Sequence, residues 1–261
     1  MSINHFTHAL TRQPAPTLGH GLTTANLGPP NFDLARHQHI TYIQTLVHCG
    51  LTVVNLPPQP AFPDAHFVED TAVIIPNHVA IITIPGAPSR QGETATVQAA
   101  LQPYLPTVTI NPPGTLDGGD VLLIDKHFFV GLSSRTNQAG FDQFATIVDQ
   151  CGYQATPIPV AAGLHLKSSI NYLTTDTIIV TPDFANHPAL ANYEQIITAP
   201  DEDYAANTLW LNDHLLFPIG YPGTRARLEP LGLPIVDIDT SEIRKMDGGL
   251  TCMSLRFTPL P

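Results

Sequence analysis

TAVIIPNHVAIITI, residues 71–84, places two runs of β-branched residues on either side of Pro76-Asn77. Such runs around a turn-forming pair read as a β-hairpin. Beyond it, Val97, Leu101 and Leu105 recur every fourth residue, as on one face of a helix. TVTIN at 107–111 then reads as a strand.

The same order returns along the chain. DVLLIDKHFFVG (120–131) predicts a hairpin turning at Asp125-Lys126, Phe141, Phe144 and Val148 mark a helix, and a strand follows at 153–160. INYLTTDTIIVT (170–181) is a third hairpin, with a helix expected through Leu190, Tyr193 and Ile197. NTLWLNDHLLF (207–217) turns at Asn212-Asp213 and leads to a short helix near 224–229 and the strand PIVDI at 234–238. LTCMSLRF (250–257) predicts a strand with no partner after it, while HFTHAL (5–10) is an unpaired strand followed by a helix near 33–49 and the strand TVVNL at 52–56. Joining the two ends completes a fifth hairpin–helix–strand unit. The expected fold is therefore an α/β ring of five such units spanning 1–261 as one domain, without a free sheet edge around it.

A chain of 261 residues, 43% hydrophobic and 13% charged, can bury a sizeable core. The net charge of −11 and the lack of a basic patch argue against a nucleic-acid partner. Apolar runs are far too short for a membrane span. Three widely spaced cysteines, Cys49, Cys151 and Cys252, with no CxxC, make a disulfide framework or a structural zinc site unexpected. MSINHFTHALTRQ lacks a long apolar core, so no secretory leader is expected and a cytoplasmic setting follows.

Each unit's first strand is preceded by a short stretch rich in Gly or charge: FVED (67–70), LDGGD (116–120), GLHLKSS (163–169), EDYAAN (202–207) and DGGLTC (247–252). Their markers Asp70, Asp117, His165, Asn207 and Cys252 lie 47, 48, 42 and 45 positions apart. Equivalent points of a ring converge near its axis, so two acids, a histidine and a thiol would share one pocket. A thiol needs a nearby cation to become a thiolate near neutral pH. A histidine can protonate a leaving group and then take a proton from water. A carboxylate behind it sets its tautomer, and further carboxylates can hold a planar cation. Each residue alone has a plainer reading: Cys252 as a packed apolar group, His165 as a satisfied core histidine, Asp117 and Asp120 as turn residues, Glu69-Asp70 as a solvated pair. A metal held by His165 and Cys252 would have too few ligands for tight binding.

The motifs THALTR (7–12), FVED, PGAPSR (85–90), LDGGDVL (116–122), FFVGLSSRTNQ (128–138), GLHLKSS and DGGLTCMS (247–254) closely resemble dimethylarginine dimethylaminohydrolases, which are guanidino-group-modifying enzymes of the pentein, or five-bladed α/β-propeller, fold. The resemblance implies hydrolysis of Nω-methylated arginines to citrulline and a methylamine. It assigns Cys252 as nucleophile, His165 as acid and base, and Asp117 as support for His165. It places Glu69 and Asp70 on the guanidinium, Arg90 and Arg135 on the substrate carboxylate, and Asp64 with the backbones of Leu18 and Met246 around the α-amino group. It implies a small-molecule substrate, no metal or other cofactor, and a monomer or homodimer. TLGHGLT (17–23) reads as a mobile lid or as a plain surface loop. The chain departs from the family where Met253 follows the expected nucleophile in place of a second cysteine found in some relatives. Gly-Gly precedes Leu250 where mammalian members carry Gly-Leu, Met246 replaces a smaller aliphatic residue, and Ile84 stands for an arginine. Another pentein chemistry, on arginine itself or a differently substituted guanidine, and a non-catalytic binding ring are the competing readings.

Overall fold

In the computed structural model, residues 5–160, 163–174 and 176–261 are described. Five three-stranded sheets alternate with helices, and each sheet has the same wiring. In the sheet that holds the opening motif, β3 (Ala72–Ile75) runs antiparallel to β4 (Val79–Ile82), and β4 runs parallel to β5 (Thr107–Thr109) after the crossover helix α2 (Thr94–Leu101). Asn77 takes the hairpin corner at φ 62°, a conformation that asparagine tolerates.

The second sheet is β6 (Val121–Ile124), β7 (His127–Leu132) and β8 (Gln154–Pro159), linked by α3 (Gln138–Gln150). Phe141, Phe144 and Val148 bury the inner face of α3, and the Asn137 side chain caps it by accepting from Gly140 N. The third is β9 (Ile170–Tyr172), β10 (Thr177–Val180) and β11 (Glu194–Ile197); Thr175, inside the expected hairpin, lies outside the described residues. The fourth is β12 (Leu209–Leu211), β13 (His214–Pro218) and β14 (Ile235–Ile238), with α4 (Pro222–Leu228) between the last two.

The fifth sheet joins the ends. β1 (His8–Arg12) lies between β2 (Thr52–Leu56), parallel to it across α1 (Phe32–His48), and β15 (Leu255–Phe257), antiparallel to it. His8, Ala9 and Leu10 face Phe257, Arg256 and Leu255. A short helix α5 (Ser241–Arg244), which periodicity does not reveal, leads into the final segment. The inner strands β3, β6, β9, β12 and β15 surround the axis, and the helices pack outside. Among the described residues no helix is long and apolar enough to cross a membrane.

Three expectations fail. The ring is not edgeless: its five sheets are separate and three-stranded, so the two outer strands of each are edges, and side-chain packing rather than a continuous ladder joins the units. Leu190, Tyr193 and Ile197 do not share a helix: Pro182–Phe184 and Pro188–Leu190 are 3₁₀ turns, and Glu194–Ile197 is β11 itself. Pro182 and Pro188 lack the N–H that a helix interior needs, and Asn186 at φ 60° breaks the run between them. Leu190 is still fully buried, packed with Ile178 and Val180.

The strand expected over 250–257 starts only at Leu255, so Cys252 sits in a turn rather than on a strand. Groups from elsewhere occupy the backbone that a ladder would use. Tyr42 Oη donates to the Leu250 carbonyl at 2.8 Å, Thr251 N donates to Asn207 Oδ1 at 3.0 Å, and Glu69 N donates to the Cys252 carbonyl at 3.1 Å.

Tyr42, fully buried on α1, also shares a 2.7 Å hydrogen bond with Ser254 Oγ. Tyr42→Phe strands the buried Leu250 carbonyl and leaves Ser254 Oγ with Arg256 alone, and is expected to lower unfolding free energy by about 1–3 kcal/mol. Urea denaturation of the two proteins checks this; equal midpoints would show that the clamp contributes nothing.

Candidate active site

At the axis the chain must turn tightly before each inner strand. Val68–Thr71, Gly118–Asp120, Leu166–Ser168 and Asp203–Ala206 are 3₁₀ turns that precede β3, β6, β9 and β12. Side chains have no room in parts of these turns. A Cβ on Gly118 would lie 2.0 Å from the Glu69 carbonyl oxygen, and one on Gly119 would lie 2.6 Å from His165 Nδ1. The LDGGD glycines therefore let the Asp70, Asp117 and His165 stretches meet.

His165 is buried, and its Nε2 is 2.9 Å from Asp117 Oδ2. Asp117 is held in turn by Gly86 N, which donates to Oδ1 at 2.8 Å. On the other side of the ring, His165 Nδ1 lies 3.9 Å from Asp70 Oδ1. Gly119 N donates to that same Asp70 oxygen, and Arg90 Nη1 pairs with Asp70 Oδ2. Asp120 accepts from Ser133, Thr136 and Leu166 N, and so ties the LDGGD turn to the histidine's segment.

These contacts set the charges. Burial works against a proton on His165, but Asp70, Asp117 and Asp120 prevail and raise its pKa to about 9. Burial would raise Asp70, yet His165 and Arg90 hold it at about 2. Burial pushes the Cys252 thiol up to about 12, with Glu69 and Asp70 adding to the push and the Gly249 N–H and Lys167 opposing it. Burial also raises Asp64, although Leu22 N donates to its Oδ2 at 3.0 Å. The second oxygen, Oδ1, has no partner among the described residues. At neutral pH the pocket thus holds an imidazolium, a neutral thiol and an anionic Asp70.

Asp64, Asp70, Arg90, Arg135, His165, Met246 and Cys252 all line one pocket of about 30 Å³. Three expected residues stand apart from it. Asp117 is fully buried behind His165. Leu18 is also buried, and its carbonyl accepts from Gly21 N within the 3₁₀ turn. Glu69 points the other way, with its carboxylate on Lys167 Nζ at 2.6 Å, Thr251 Oγ1 at 2.8 Å and Arg256 Nη2 at 3.2 Å. The Arg90 fork is already engaged, bonded to Asp70, Glu93 and the carbonyls of Asp64 and Phe67. The marker Asn207 likewise stays outside the pocket and braces Thr251 and the Lys167 carbonyl.

Sequence reasoning missed Leu22, Phe67, Leu164 and Asp247, which complete the walls together with Gly248, a glycine expected to bring the backbone close to the substrate. Asp247 had a signal of sorts, an Asp-Gly pair, and it adopts φ 57°. Its carboxylate accepts from Thr24 N at 2.6 Å, and Thr23 Oγ1 donates to the Lys245 carbonyl at 2.8 Å. The loop after Gly21 thus lies across the pocket.

Asp70, Asp117 and His165 place ligand-type atoms within 4.8 Å of one another. Arg90 and the protonated ring already balance both carboxylates, and a metal ion would have to displace them.

A ring of five such units, with a thiol, a histidine and acids at one end of its axis, defines a pentein of the guanidino-modifying type. The family model for "N,N dimethylarginine dimethylhydrolase, eukaryotic" matches residues 30–219. The N(G),N(G)-dimethylarginine dimethylaminohydrolase of Pseudomonas aeruginosa is 39% identical, covering 97% of this chain and all of that one. Its counterpart in Streptomyces coelicolor is 36% identical, covering 97% of each. The crystal structure of the Pseudomonas enzyme, as a cysteine-to-serine mutant complexed with citrulline, superposes with a TM-score of 0.95 at 38% identity over 97% of this chain and 100% of that one. The chain belongs to the dimethylarginine dimethylaminohydrolase family.

Folding raises His165 from 6.5 to about 9. The stability this contributes is complete below about pH 6.5 and is lost as pH rises through about 9. Asp117→Asn removes the charge that faces Nε2, so NMR titration of the ring is expected to show a lower midpoint. An unchanged midpoint would separate Asp117 from the proton on His165.

Proposed function

We propose that this protein hydrolyses Nω,Nω-dimethylarginine, and the monomethyl form, to citrulline and dimethylamine or methylamine. The observation that carries the reading is the placement of Cys252 and a protonated His165 on one pocket, with Asp70 as an anion beside the ring.

The substrate guanidinium sits against Asp70, whose low pKa keeps it anionic for paired hydrogen bonds. Arg135 takes the substrate carboxylate, and the unpartnered Asp64 Oδ1 takes the α-ammonium with help from the Leu22 and Met246 wall. Arg90, bonded to Asp70 and Glu93, orients Asp70 and adds positive charge at the carboxylate end. Glu69 acts from behind, through Thr251, on the turn that carries the thiol.

The thiol is neutral until substrate arrives. A cation placed beside it favours ionisation, and the thiol proton passes to solvent water because His165 is already protonated, so binding and activation coincide. The Cys252 thiolate attacks the guanidinium carbon. The imidazolium of His165 then gives its proton to the departing dimethylamine, leaving a thiouronium on Sγ. The neutral ring, oriented by Asp117, takes a proton from water. The resulting hydroxide attacks the thiouronium carbon, the carbon–sulfur bond breaks, and the proton left on the new oxygen passes to the departing thiolate, releasing citrulline and restoring the neutral thiol. Closure of the loop over the pocket excludes competing water.

The protein acts as a single catalytic unit in the cytoplasm, as a monomer or homodimer. Cys252→Ser is expected to abolish citrulline formation with an unchanged circular-dichroism spectrum. The intact protein should turn over dimethylarginine and monomethylarginine in preference to arginine. Turnover that favours arginine would move the chain to the deiminase reading, and an active serine variant would remove the nucleophile assignment.

A further inference from the structure

EDYAAN (202–207) lines none of the catalytic pocket, yet Tyr204 reaches the backbone beside it. Tyr204 Oη lies 2.8 Å from the Gly248 carbonyl oxygen and shares a 3.0 Å hydrogen bond with Thr240 Oγ1. A phenol has one proton and a carbonyl can only accept, so Tyr204 donates to Gly248 and Thr240 donates to Tyr204. Arg244 stands over the Tyr204 ring, its Cζ 5.1 Å from the centroid, and steadies it. Burial raises the pKa of the phenol, so it keeps its proton.

Gly248 forms part of the pocket wall. The peptide that joins it to Gly249 is trans and planar, so its N–H points away from its carbonyl. Tyr204 takes the carbonyl end. At the other end, the Gly249 N–H donates to no backbone carbonyl among the described residues. It faces Cys252, where it favours the ionised thiol against burial, Glu69 and Asp70, as Lys167 does. Two further contacts fix the peptide's orientation. Gly248 N donates to the Ile243 carbonyl at 3.2 Å, and the Asn207 amide packs so close that a Cβ on Gly249 would lie 2.4 Å from its Cγ. A donor on a peptide oxygen polarises the amide and strengthens its N–H. A hydrogen bond to an anion is stronger than one to a neutral group.

We propose that Tyr204 is a positioning residue for the nucleophile: its hydroxyl holds and polarises the Gly248–Gly249 peptide, which presents the Gly249 N–H to Cys252 Sγ as negative charge builds there. The inference rests on Cys252 as the nucleophile and not on which guanidine it attacks. It gives the fourth unit of the ring, whose marker Asn207 stays outside the pocket, a share in the chemistry.

Thiol alkylation tests this without substrate. Iodoacetamide reacts with the thiolate, so at a fixed pH below the thiol's midpoint its rate at Cys252 follows the ionised fraction. Peptide mass spectrometry reads that rate. Tyr204→Phe is expected to slow the reaction by about three- to tenfold, while Cys151 reacts as before. A tyrosine that merely supported the fold would give the opposite result, because loosening the turn exposes the thiol and relieves the burial that keeps it protonated. Fluorotyrosine placed at position 204, a stronger donor of nearly the same size, should speed the reaction. An equal or faster rate in Tyr204→Phe, or no effect of fluorotyrosine, would overturn the proposal. The alkylation rates do not depend on turnover, so failure of the proposed substrate and failure of this proposal are read separately.

Discussion

The fold depends on one pairing, that of β1 with β15. Leu10 and Leu255 come from opposite ends of the chain, face each other in that ladder, and are both buried in one apolar cluster with Ile82 and Val97. Without it β1 and β15 each lose a partner, and the strand that follows the Cys252 turn is no longer tied to the start of the chain. With it, Cys252 is fixed at the axis, and Glu69 N closes on its carbonyl. Tyr42, on the helix that follows β1, clamps the residues on either side of the thiol. The late position of the cysteine is thus a consequence of ring closure, which makes the end of the chain part of its centre.

Crowding at that centre explains the glycines. Gly118 and Gly119 admit the Glu69 backbone and the His165 ring, and Gly248 and Gly249 admit the Phe67 ring and the Asn207 amide. Each close approach excludes a side chain, and each brings a functional stretch within reach of its neighbours. The turns also sort residues between the two ends of the axis: Asp70, His165 and Cys252 face the small pocket, and Glu69, Lys167 and Thr251 face a larger space at the other end. The result is an acid end suited to a cationic group and a rear end where Lys167 and Arg256 pair with Glu69.

Much of this was legible in the sequence. Hairpins with Asn or Asp at the corner were read at 71–84, 120–131 and 207–217, because positive φ at Asn77, Asp125, Asn212 and Asp213 leaves a compositional mark. The repeat spacing alone places Asp70, Asp117, His165 and Cys252 near one axis. What periodicity could not show was the cost of two prolines between β10 and β11, where apolar spacing suggested a helix. Nor could it show that side chains distant in sequence would take the backbone groups of 250–252 and turn a strand into a loop. The orientations of Glu69 and Arg90 were equally hidden, because an acid pair or an Arg-x-x-Glu reads the same whichever way each side chain points. Leu22 and Asp247 reach the pocket through loop conformations that leave no period.

The central physical claim is that a neutral thiol at Cys252 becomes a nucleophile when a cationic guanidine binds beside a protonated His165. Rapid acid quench of the protein mixed with dimethylarginine, followed by peptide mass spectrometry, tests it most directly. The account predicts a transient adduct on the peptide containing Cys252, with the mass of dimethylarginine less dimethylamine. Citrulline produced while that peptide stays unmodified throughout the first turnover would contradict it.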